Sequence, residues 1–276
     1  MSAALEAPLP GASGLARRPY DTSMSAKVEK LVWDHIDTVL LDLDGTLLDL
    51  GFDNDFWLDF IPVVYAAARS VSVEEAKASL APRFRACEGT LNWYCIDHWS
   101  RELGLDVAAL KRTQADRVAW LPGAQGFLRQ LRALGKRLVL LTNSHPRVLE
   151  IKDEQTRVTS YLDAAISSHV FRAPKESPSF WRSVREVEPF DPQRSLFVDD
   201  SPPVLRAAHA AGIRWIRGVR RVSAARGGQF RPLGDYGEII AVDSVNDLYP
   251  GSPWGDADDA GWVDGRRLSD PGSAPA

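Results

Sequence analysis

Short apolar runs alternate with helical patterns along most of the chain. Six runs have the length and composition of buried strands. They lie at residues 38–41, 137–141, 165–167, 196–198, 213–216 and 239–242. Between them, residues 125–134 and 204–211 carry apolar side chains at helical spacing and end before Gly135 and Gly212, the residue type that favours a helix C-terminus. This alternation predicts an α/β fold, with a Rossmann-like parallel sheet covered by helices on both faces.

One long segment after the first predicted strand lacks any strand pattern. Residues 51–120 carry apolar side chains at helical spacing instead, and we expect Pro62 to bend the first helix. Ser72, followed three residues later by Glu75, is typical of a capping box that opens a second helix. Two further helices are predicted at residues 91–103 and 107–120. The segment therefore predicts an all-helical cap domain inserted after the first strand.

The domain organisation follows from these patterns. We expect the predicted parts to be a disordered N-terminal tail at 1–29, an α/β core at 30–50 and 121–250, a helical cap at 51–120 and a disordered C-terminal tail at 251–276. Both tails are rich in small and turn-forming residues and show no sustained period.

Composition and charge narrow the class of protein. The chain has 276 residues, a net charge of -4 and 2 Cys. It lacks the overall basic charge of a nucleic-acid-binding protein, and no run approaches the ~18 apolar residues typical of a membrane span. Cys87 and Cys95 are best interpreted as reduced thiols. We expect a cytoplasmic protein, a monomer or small homo-oligomer, that acts on a small molecule and binds neither nucleic acid nor membrane.

Polar residues follow the predicted strands at the points where these end. In chain order they are Asp42, Asp44, Thr142, Asn143, Lys175, Asp199 and Asp200. Parallel sheets bind ligands at the carboxyl ends of their strands. We therefore expect these side chains to meet in one crevice.

Such a meeting requires a cation. Two carboxylates about 4 Å apart repel by about 4 kcal/mol at an effective dielectric constant of about 20, and four of them face a single lysine. An all-oxygen set of this kind suits Mg²⁺, and no His/Cys set with zinc spacing competes for another metal. Asp199 would bind the metal, and Asp200 would bind it or orient its waters. Asp200 could also be only a charge at a helix N-terminus.

The same residues suggest phosphoryl chemistry. Asp42 at a strand end can attack phosphorus and form an aspartyl-phosphate. Asp44, turned back by Gly45, can act as general acid and then as general base. Thr142 and Lys175 would bind the phosphate oxygens, although Thr142 and its neighbour Asn143 could instead cap the next helix.

Four segments resemble, in order, the four motifs of haloacid-dehalogenase-type phosphatases. They are Leu41–Leu47, Leu141–Asn143, Lys175 and Val198–Ser201. The resemblance implies a helical cap after the first strand, Asn143 as a further phosphate ligand, and Mg²⁺ bound by Asp42, the backbone carbonyl of Asp44, and Asp199. Because Asp44 is present, the chain differs from true dehalogenases, which lack this second Asp and the metal.

Three further segments narrow the expected substrate. Residues 49–57, 90–97 and 141–146 resemble the bacterial nucleotidases of this family that act on GMP and IMP. This implies Mg²⁺-dependent hydrolysis of purine 5′-nucleoside monophosphates to nucleoside and phosphate. The candidate contacts to the base are Asn92, Trp93, Tyr94 and His98, which could equally form the core of the cap.

Two alternatives stay open. The predicted core residues contact only the phosphate group and therefore do not select the rest of the substrate. The chain could thus be a phosphatase or phosphomutase for a sugar phosphate or phosphoglycolate. It could also be a catalytically silent binding protein with an Arg-rich surface for an anionic partner. That surface would comprise Arg214, Arg217, Arg220, Arg221, Arg226 and Arg231, for which a solvated face is the simpler interpretation.

Overall fold

The computed structural model describes residues 31–225 and 228–248, together with the backbone of 262–263 and 266–267. The N-terminal tail predicted at 1–29, nearly all of the C-terminal tail predicted at 251–276, and Arg226 lie outside the described residues.

The strands confirm the predicted parallel α/β core. They are β1 (Thr38–Leu41), β2 (Arg137–Thr142), β3 (Ala164–Ser167), β4 (Ser195–Asp199), β5 (Trp215–Val219), β6 (Arg221–Ser223), β7 (Gln229–Phe230), β8 (Ala241–Val242), β9 (Trp262–Val263) and β10 (Arg266–Arg267). Six of these form one sheet in the order β3-β2-β1-β4-β5-β8, with every pair parallel. The pairs β6–β7 and β9–β10 are antiparallel.

Strand β1 lies at the centre of the sheet and is buried along its whole length. Val39 and Leu41 pack into the core on one face, and Leu40 packs with Phe197 into the core on the other. The chain builds outward from β1 through β2 and β3, and then returns to place β4 on the other side of β1. The crevice at such a switch point is where open α/β sheets bind ligands.

Within the described residues, ten α-helices accompany the sheet. They are α1 (Gly51–Asp55), α2 (Ile61–Arg69), α3 (Val73–Cys87), α4 (Leu91–Tyr94), α5 (Ile96–Leu103), α6 (Val107–Arg112), α7 (Ala124–Ala133), α8 (Pro146–Thr156), α9 (Pro178–Val187) and α10 (Pro202–Ala210). The first six lie between β1 and β2. Helices α2 to α6 supply most of a separate hydrophobic cluster, which includes Phe56, Leu80 and Trp99. We call α1 to α6 the helical segment.

The capping box predicted at Ser72 is present. The Ser72 hydroxyl accepts the Glu75 backbone N–H at 3.1 Å, and the Glu75 carboxylate accepts the Ser72 N–H at 2.9 Å. Five residues of π-helix, Phe56–Phe60, come just before Pro62. The Ile61 N–H there bonds to the Phe56 carbonyl. Proline lacks the N–H that an α-helical turn needs, and the wider turn accommodates this locally.

The prediction of a single helix at 107–120 is wrong. Helix α6 ends at Arg112 and a 3₁₀ turn follows at Ala115–Arg117. The chain then runs beside residues 47–49, which lead into the inserted helices. The Leu121 N–H donates to the Leu47 carbonyl, and the Asp49 N–H donates to the Ala119 carbonyl, both at 2.9 Å. Because these backbone groups pair with another segment, residues 119–121 cannot form helical hydrogen bonds.

Hydropathy adds one observation about the helices. Among the described residues, no single helix has both the length and the apolar character of a membrane span. Gly51–Arg69 and Val73–Cys87, which are bent by 114° relative to each other, meet the criterion only as a pair.

Gly218 in β5 leaves room for the ring of Tyr236. A Cβ at Gly218 would lie 2.4 Å from Tyr236 Cε1. We expect Gly218→Ala to lower the free energy of unfolding by roughly 1–3 kcal/mol, because a close-packed core does not accept an added methyl group. Urea unfolding measures this loss. Gly234→Ala, where an added Cβ meets nothing of the described chain within 4 Å, is the control, and equal losses in the two variants would contradict the interpretation.

Candidate active site

The residues expected at the strand ends line one cavity of about 550 Å³, a volume typical of small-molecule sites. The lining residues from the sheet edge include Asp42, Asp44, Thr142, Asn143, Lys175, Asp199 and Asp200. The opposite wall comes from the helical segment. The crevice therefore combines charged groups from the sheet edge with side chains from the inserted helices.

Lys175 joins the two central carboxylates. Its Nζ atom lies 2.5 Å from Asp42 Oδ1 and 2.7 Å from Asp199 Oδ2, and all three side chains are buried. Burial alone would lower the pKa of Lys175, but Asp199 and Asp42 outweigh this effect and raise it. The ammonium group therefore stays charged and holds the ends of β1 and β4 together.

Asp200 has a cationic partner of its own. Arg231 donates from Nε and Nη2 to Asp200 Oδ2, at 2.8 and 2.5 Å. The Tyr236 hydroxyl lies 3.1 Å from the Asp200 carbonyl oxygen and 2.7 Å from that of Val219. Gly45 has a φ of +84°, and a Cβ there would lie 2.8 Å from Asp200 Oδ2. Glycine at this turn thus lets the loop after β1 approach Asp200.

Three of the carboxylates have the arrangement of a divalent-cation site. One oxygen from each of Asp42, Asp199 and Asp200 lies within 4.8 Å of the other two. Asp42 Oδ2 is buried and has no hydrogen-bond partner among the described residues. Burial raises the pKa of Asp199 well above its usual value; Lys175 opposes this shift, and the two neighbouring carboxylates add to it. Burial likewise raises the pKa of Asp200 to about 6, against the effect of Arg231. Lone pairs without partners and unbalanced negative charge fit a hard cation such as Mg²⁺.

Asp44 belongs to a second charged cluster that reaches into the helical segment. Lys152 of α8 donates to Asp44 Oδ1 at 2.5 Å and to Asp53 Oδ2 of α1 at 2.7 Å. Lys111 of α6 donates to Asp53 Oδ1 at 2.6 Å and lies 4.3 Å from the ring centroid of Phe56. Both lysines are 1% exposed, so their charges depend on these carboxylates.

The cluster sets the protonation of its members. Burial raises the pKa of Asp44 to about 6; Lys152 opposes the shift, and Asp53 and Asp42 add to it. Burial would also raise the pKa of Asp53, but Lys111 and Lys152 outweigh it and lower the pKa well below the usual value. Asp53 therefore remains ionised, while Asp44 can exchange a proton near neutral pH.

The loops after β2 and β3 are connected to each other and to α4. Asn143 accepts the Lys175 backbone N–H through Oδ1 at 2.9 Å and donates from Nδ2 to Glu176 at 3.0 Å. The other Glu176 oxygen accepts the Tyr94 hydroxyl at 2.7 Å. Thr142 is buried, and its hydroxyl accepts the Ser144 N–H at 2.9 Å. Asn143 and Tyr94 thus support the loop that carries Lys175.

An aromatic wall closes the other side of the cavity. It consists of Trp57, Phe84, Trp93 and Trp99, whose neighbouring ring centroids lie 5.0 to 6.2 Å apart. Of the four base contacts expected from the sequence, Trp93 and Tyr94 line the cavity. Asn92 is exposed outside the lining, and His98 packs on the Trp99 ring with Nε2 3.6 Å from Cys87 Sγ.

The described arginines of the Arg-rich segment make contacts within the fold. Arg217 is buried and donates to the Ile216 carbonyl, and Arg220 pairs with Asp243 at 2.7 Å. Arg231 binds Asp200, and Arg221 lies over the Phe230 ring at 5.2 Å. Each of these four arginines therefore has a contact within the fold.

Sequence patterns did not reveal several residues of the site. They are Asp53, Lys111, Lys152, Glu176 and Arg231. The only signal for Arg231 was the arginine run, which did not indicate Asp200 as the partner. The two buried lysines carry no local signal, because isolated lysines are normally exposed.

Comparisons with known proteins agree with this geometry. The family model for haloacid dehalogenase-like hydrolases matches residues 36–212. The chain is 42% identical to the GMP/IMP nucleotidase YrfG of Escherichia coli over 189 residues, which cover 68% of this chain and 85% of that protein. It is 27% identical to the phosphoglycolate phosphatase of Pseudomonas fluorescens (strain Pf0-1) over 220 residues, or 77% of this chain and 78% of that protein.

A solved structure has the same fold. The HAD phosphatase from Thermococcus onnurineus superposes with a TM-score of 0.64 at 20% identity and covers 77% of this chain and 96% of that chain. At this identity the likeness establishes the fold alone.

The buried Lys152 generates a stability prediction. We expect Lys152→Met to lower the free energy of unfolding by about 3–5 kcal/mol, because Asp44 and Asp53 lose their shared cation in a buried site. Urea unfolding gives the value. The matched control is Lys77→Met, whose ion pair with Asp59 is 51% and 64% exposed, and for which we expect a loss of at most about 1 kcal/mol. A Lys152 variant no less stable than the control would show that the cluster contributes nothing.

Proposed function

The chain belongs to the haloacid dehalogenase-like hydrolases and is a phosphoric monoester hydrolase, and from that premise we propose that it hydrolyses the purine 5′-nucleoside monophosphates GMP and IMP. The observation that carries the proposal is Asp42 at the base of the cavity. One of its oxygens is held by Lys175, and the other is buried and has no hydrogen-bond partner in the described part of the chain. The likeness to the GMP/IMP nucleotidase supports the substrate.

We place the protein in the cytoplasm, where Cys87 and Cys95 remain free thiols.

Asp42 is the nucleophile of the proposed mechanism. Its Oδ2 attacks the phosphorus, the bond from phosphorus to the 5′-oxygen breaks, and an aspartyl-phosphate forms on Asp42. Lys175, Thr142 and Asn143 surround the position of the phosphoryl oxygens and stabilise the negative charge that spreads over them.

Asp44 is the proposed general acid and general base. With a pKa raised to about 6, it carries a proton in part of the molecules near neutral pH and donates it to the departing 5′-oxygen. The resulting carboxylate then takes a proton from water, which attacks the aspartyl-phosphate and releases inorganic phosphate. Lys152 holds Asp44 in the cavity lining during both steps.

Asp42, Asp199 and the backbone carbonyl of Asp44 are the proposed ligands of Mg²⁺, and Asp200 binds it or orients its waters. The ion, when bound, neutralises charge on the phosphate and on the carboxylates. Asp200 already accepts two bonds from Arg231 on Oδ2, which favours the orienting role for this residue.

The helical segment is the proposed cap domain, spanning residues 51–120 over a core made of 30–50 and 121–250. Its aromatic wall faces the same cavity as Asp42, and a purine base can stack against such a wall. Trp93 and Tyr94 are the proposed base contacts.

Asp42→Asn tests the nucleophile. We expect phosphate release from GMP to fall by orders of magnitude, because an amide cannot form the acyl-phosphate, while the circular dichroism spectrum stays that of the folded protein. Acid quenching during turnover of phosphate-labelled GMP should trap label on the wild type and not on the variant. The control is Asp116→Asn, an exposed carboxylate outside the cavity lining. Near-normal turnover by the Asp42 variant would remove Asp42 from this role.

Trp93→Ala tests the substrate. We expect KM for GMP to rise by roughly 5- to 150-fold, the equivalent of about 1–3 kcal/mol of stacking on one base. KM for ribose 5-phosphate, which has no base, should stay unchanged in the same variant. Equal changes for both substrates would contradict base stacking. If wild-type phosphate release favours phosphoglycolate or hexose phosphates over GMP and IMP, the nucleotidase proposal is wrong.

A further inference from the structure

The fold brings a second group of metal-ligand side chains together. One ligand atom from each of Cys95, His145 and His169 lies within 4.8 Å of the other two. The chain has only 2 Cys and 5 His, so this single location collects a large share of its sulfur and imidazole ligands. No sequence spacing suggested the group, because its members come from distant parts of the chain.

Local structure fixes each of the three positions. Cys95 is the N-cap of α5, where its Sγ accepts the His98 N–H at 3.4 Å. His145 is the N-cap of α8. His169 lies in the 3₁₀ turn Ser168–Phe171 that follows β3. Ligands carried on ordered backbone need little rearrangement to bind.

The two imidazoles pack against each other, with ring centroids 4.8 Å apart. His169 Nε2 is buried and has no hydrogen-bond partner within residues 31–225 and 228–248, so its surroundings there leave this atom unsatisfied.

A carboxylate lies next to His145. Asp97 Oδ2 lies 3.5 Å from His145 Nε2, and Asp97 Oδ1 lies 3.4 Å from Arg147 Nη1. His145 Nδ1 accepts the Arg147 backbone N–H at 3.3 Å. Coordination through Nε2 requires the other tautomer, with the proton on Nδ1. It therefore gives up this one long hydrogen bond, a cost of about 1 kcal/mol.

We propose that Cys95, His145 and His169 bind a divalent cation of the zinc class, with the Asp97 carboxylate beside the His145 ligand. One sulfur and two imidazoles form a set that selects Zn²⁺ over Mg²⁺. Binding releases the thiol proton of Cys95 to solvent. Cys95 and Asp97 belong to the helical segment, whereas His145 and His169 follow β2 and β3. The bound ion therefore fixes the helical segment to the sheet at the edge of the cavity.

Cobalt is the probe, because Co²⁺ occupies zinc sites and a thiolate ligand gives it an intense charge-transfer absorption. The full chain is stripped of metal, kept reduced, and titrated with Co²⁺ without substrate. We expect a charge-transfer band and strong visible bands that saturate at one equivalent. Zn²⁺ should bleach them, and a large excess of Mg²⁺ should not. Absence of the charge-transfer band in the wild type would overturn the proposal.

The variants identify the ligands. Cys95→Ser should abolish the charge-transfer band, whereas Cys87→Ser, the matched control on the chain's other cysteine, should keep it. His169→Gln keeps the thiolate and should weaken Co²⁺ binding by more than Asp97→Asn, for which we expect the roughly 10- to 100-fold loss typical of a residue that contacts a ligand. Full charge transfer in Cys95→Ser, its loss in Cys87→Ser, or unchanged affinity in His169→Gln would each contradict the assignment.

Asp199→Asn separates this site from the carboxylate site. It should retain the charge-transfer band, and loss of the band there would show that cobalt binds at a single mixed site instead. None of these measurements uses a phosphate ester. Their outcome is therefore independent of the proposed nucleotidase activity.

Discussion

The ammonium group of Lys175 between Asp42 and Asp199 is the contact on which the catalytic end of the molecule depends. Two buried carboxylates about 4 Å apart repel by about 4 kcal/mol at an effective dielectric constant of about 20, and the sheet places these two at the ends of adjacent strands. Lys175 is itself fixed: Asn143 accepts its backbone N–H, and Trp181 donates to its carbonyl at 2.8 Å. The loop after β3 therefore delivers the cation at a set position.

The point of insertion explains why Asp44 is tied to the helical segment. Strand β1 ends at Leu41, Asp44 follows three residues later, and the chain enters α1 at Gly51, so Asp53 comes within reach of the same crevice. A half-buried aspartate there is stabilised by cations, and both Lys152 and Lys111 bind it. Asp44, the proposed general acid, and the first inserted helix consequently share one lysine, and the protonation of Asp44 depends on the placement of both.

Local patterns were sufficient for much of this architecture. The apolar runs predicted the strands because a buried parallel strand is apolar on both faces, and the capping box at Ser72 predicted the start of α3 because its bonds close within four residues. The carboxylates at the ends of β1 and β4 could be expected to converge because strand ends share one edge.

The site residues that the sequence patterns missed and the wrong helix prediction share a physical cause. Each of these features depends on contacts with residues that are distant in sequence. Arg231 reaches Asp200 only because β6 and β7 form a hairpin, and Lys111 is buried only because Asp53 meets it. The helix predicted at 107–120 stops early because Leu121 must bond to Leu47. Periodicity describes the preference of a segment on its own and carries no information about such partners.

The loops after β1, β2 and β3 each contact the helical segment. The loop after β1 reaches Asp53 through Asp44 and Lys152, the loop after β2 reaches Asp97 through His145, and the loop after β3 reaches Tyr94 through Glu176. Side-chain contacts therefore connect the proposed phosphate-binding groups to the helices that carry the aromatic wall of the cavity. A replacement in the helical segment alters both the shape of the cavity and the support of the loops around Asp42. Substrate range in such a protein must change by coordinated substitution on both sides of the crevice, while the sheet that carries the acids stays the same.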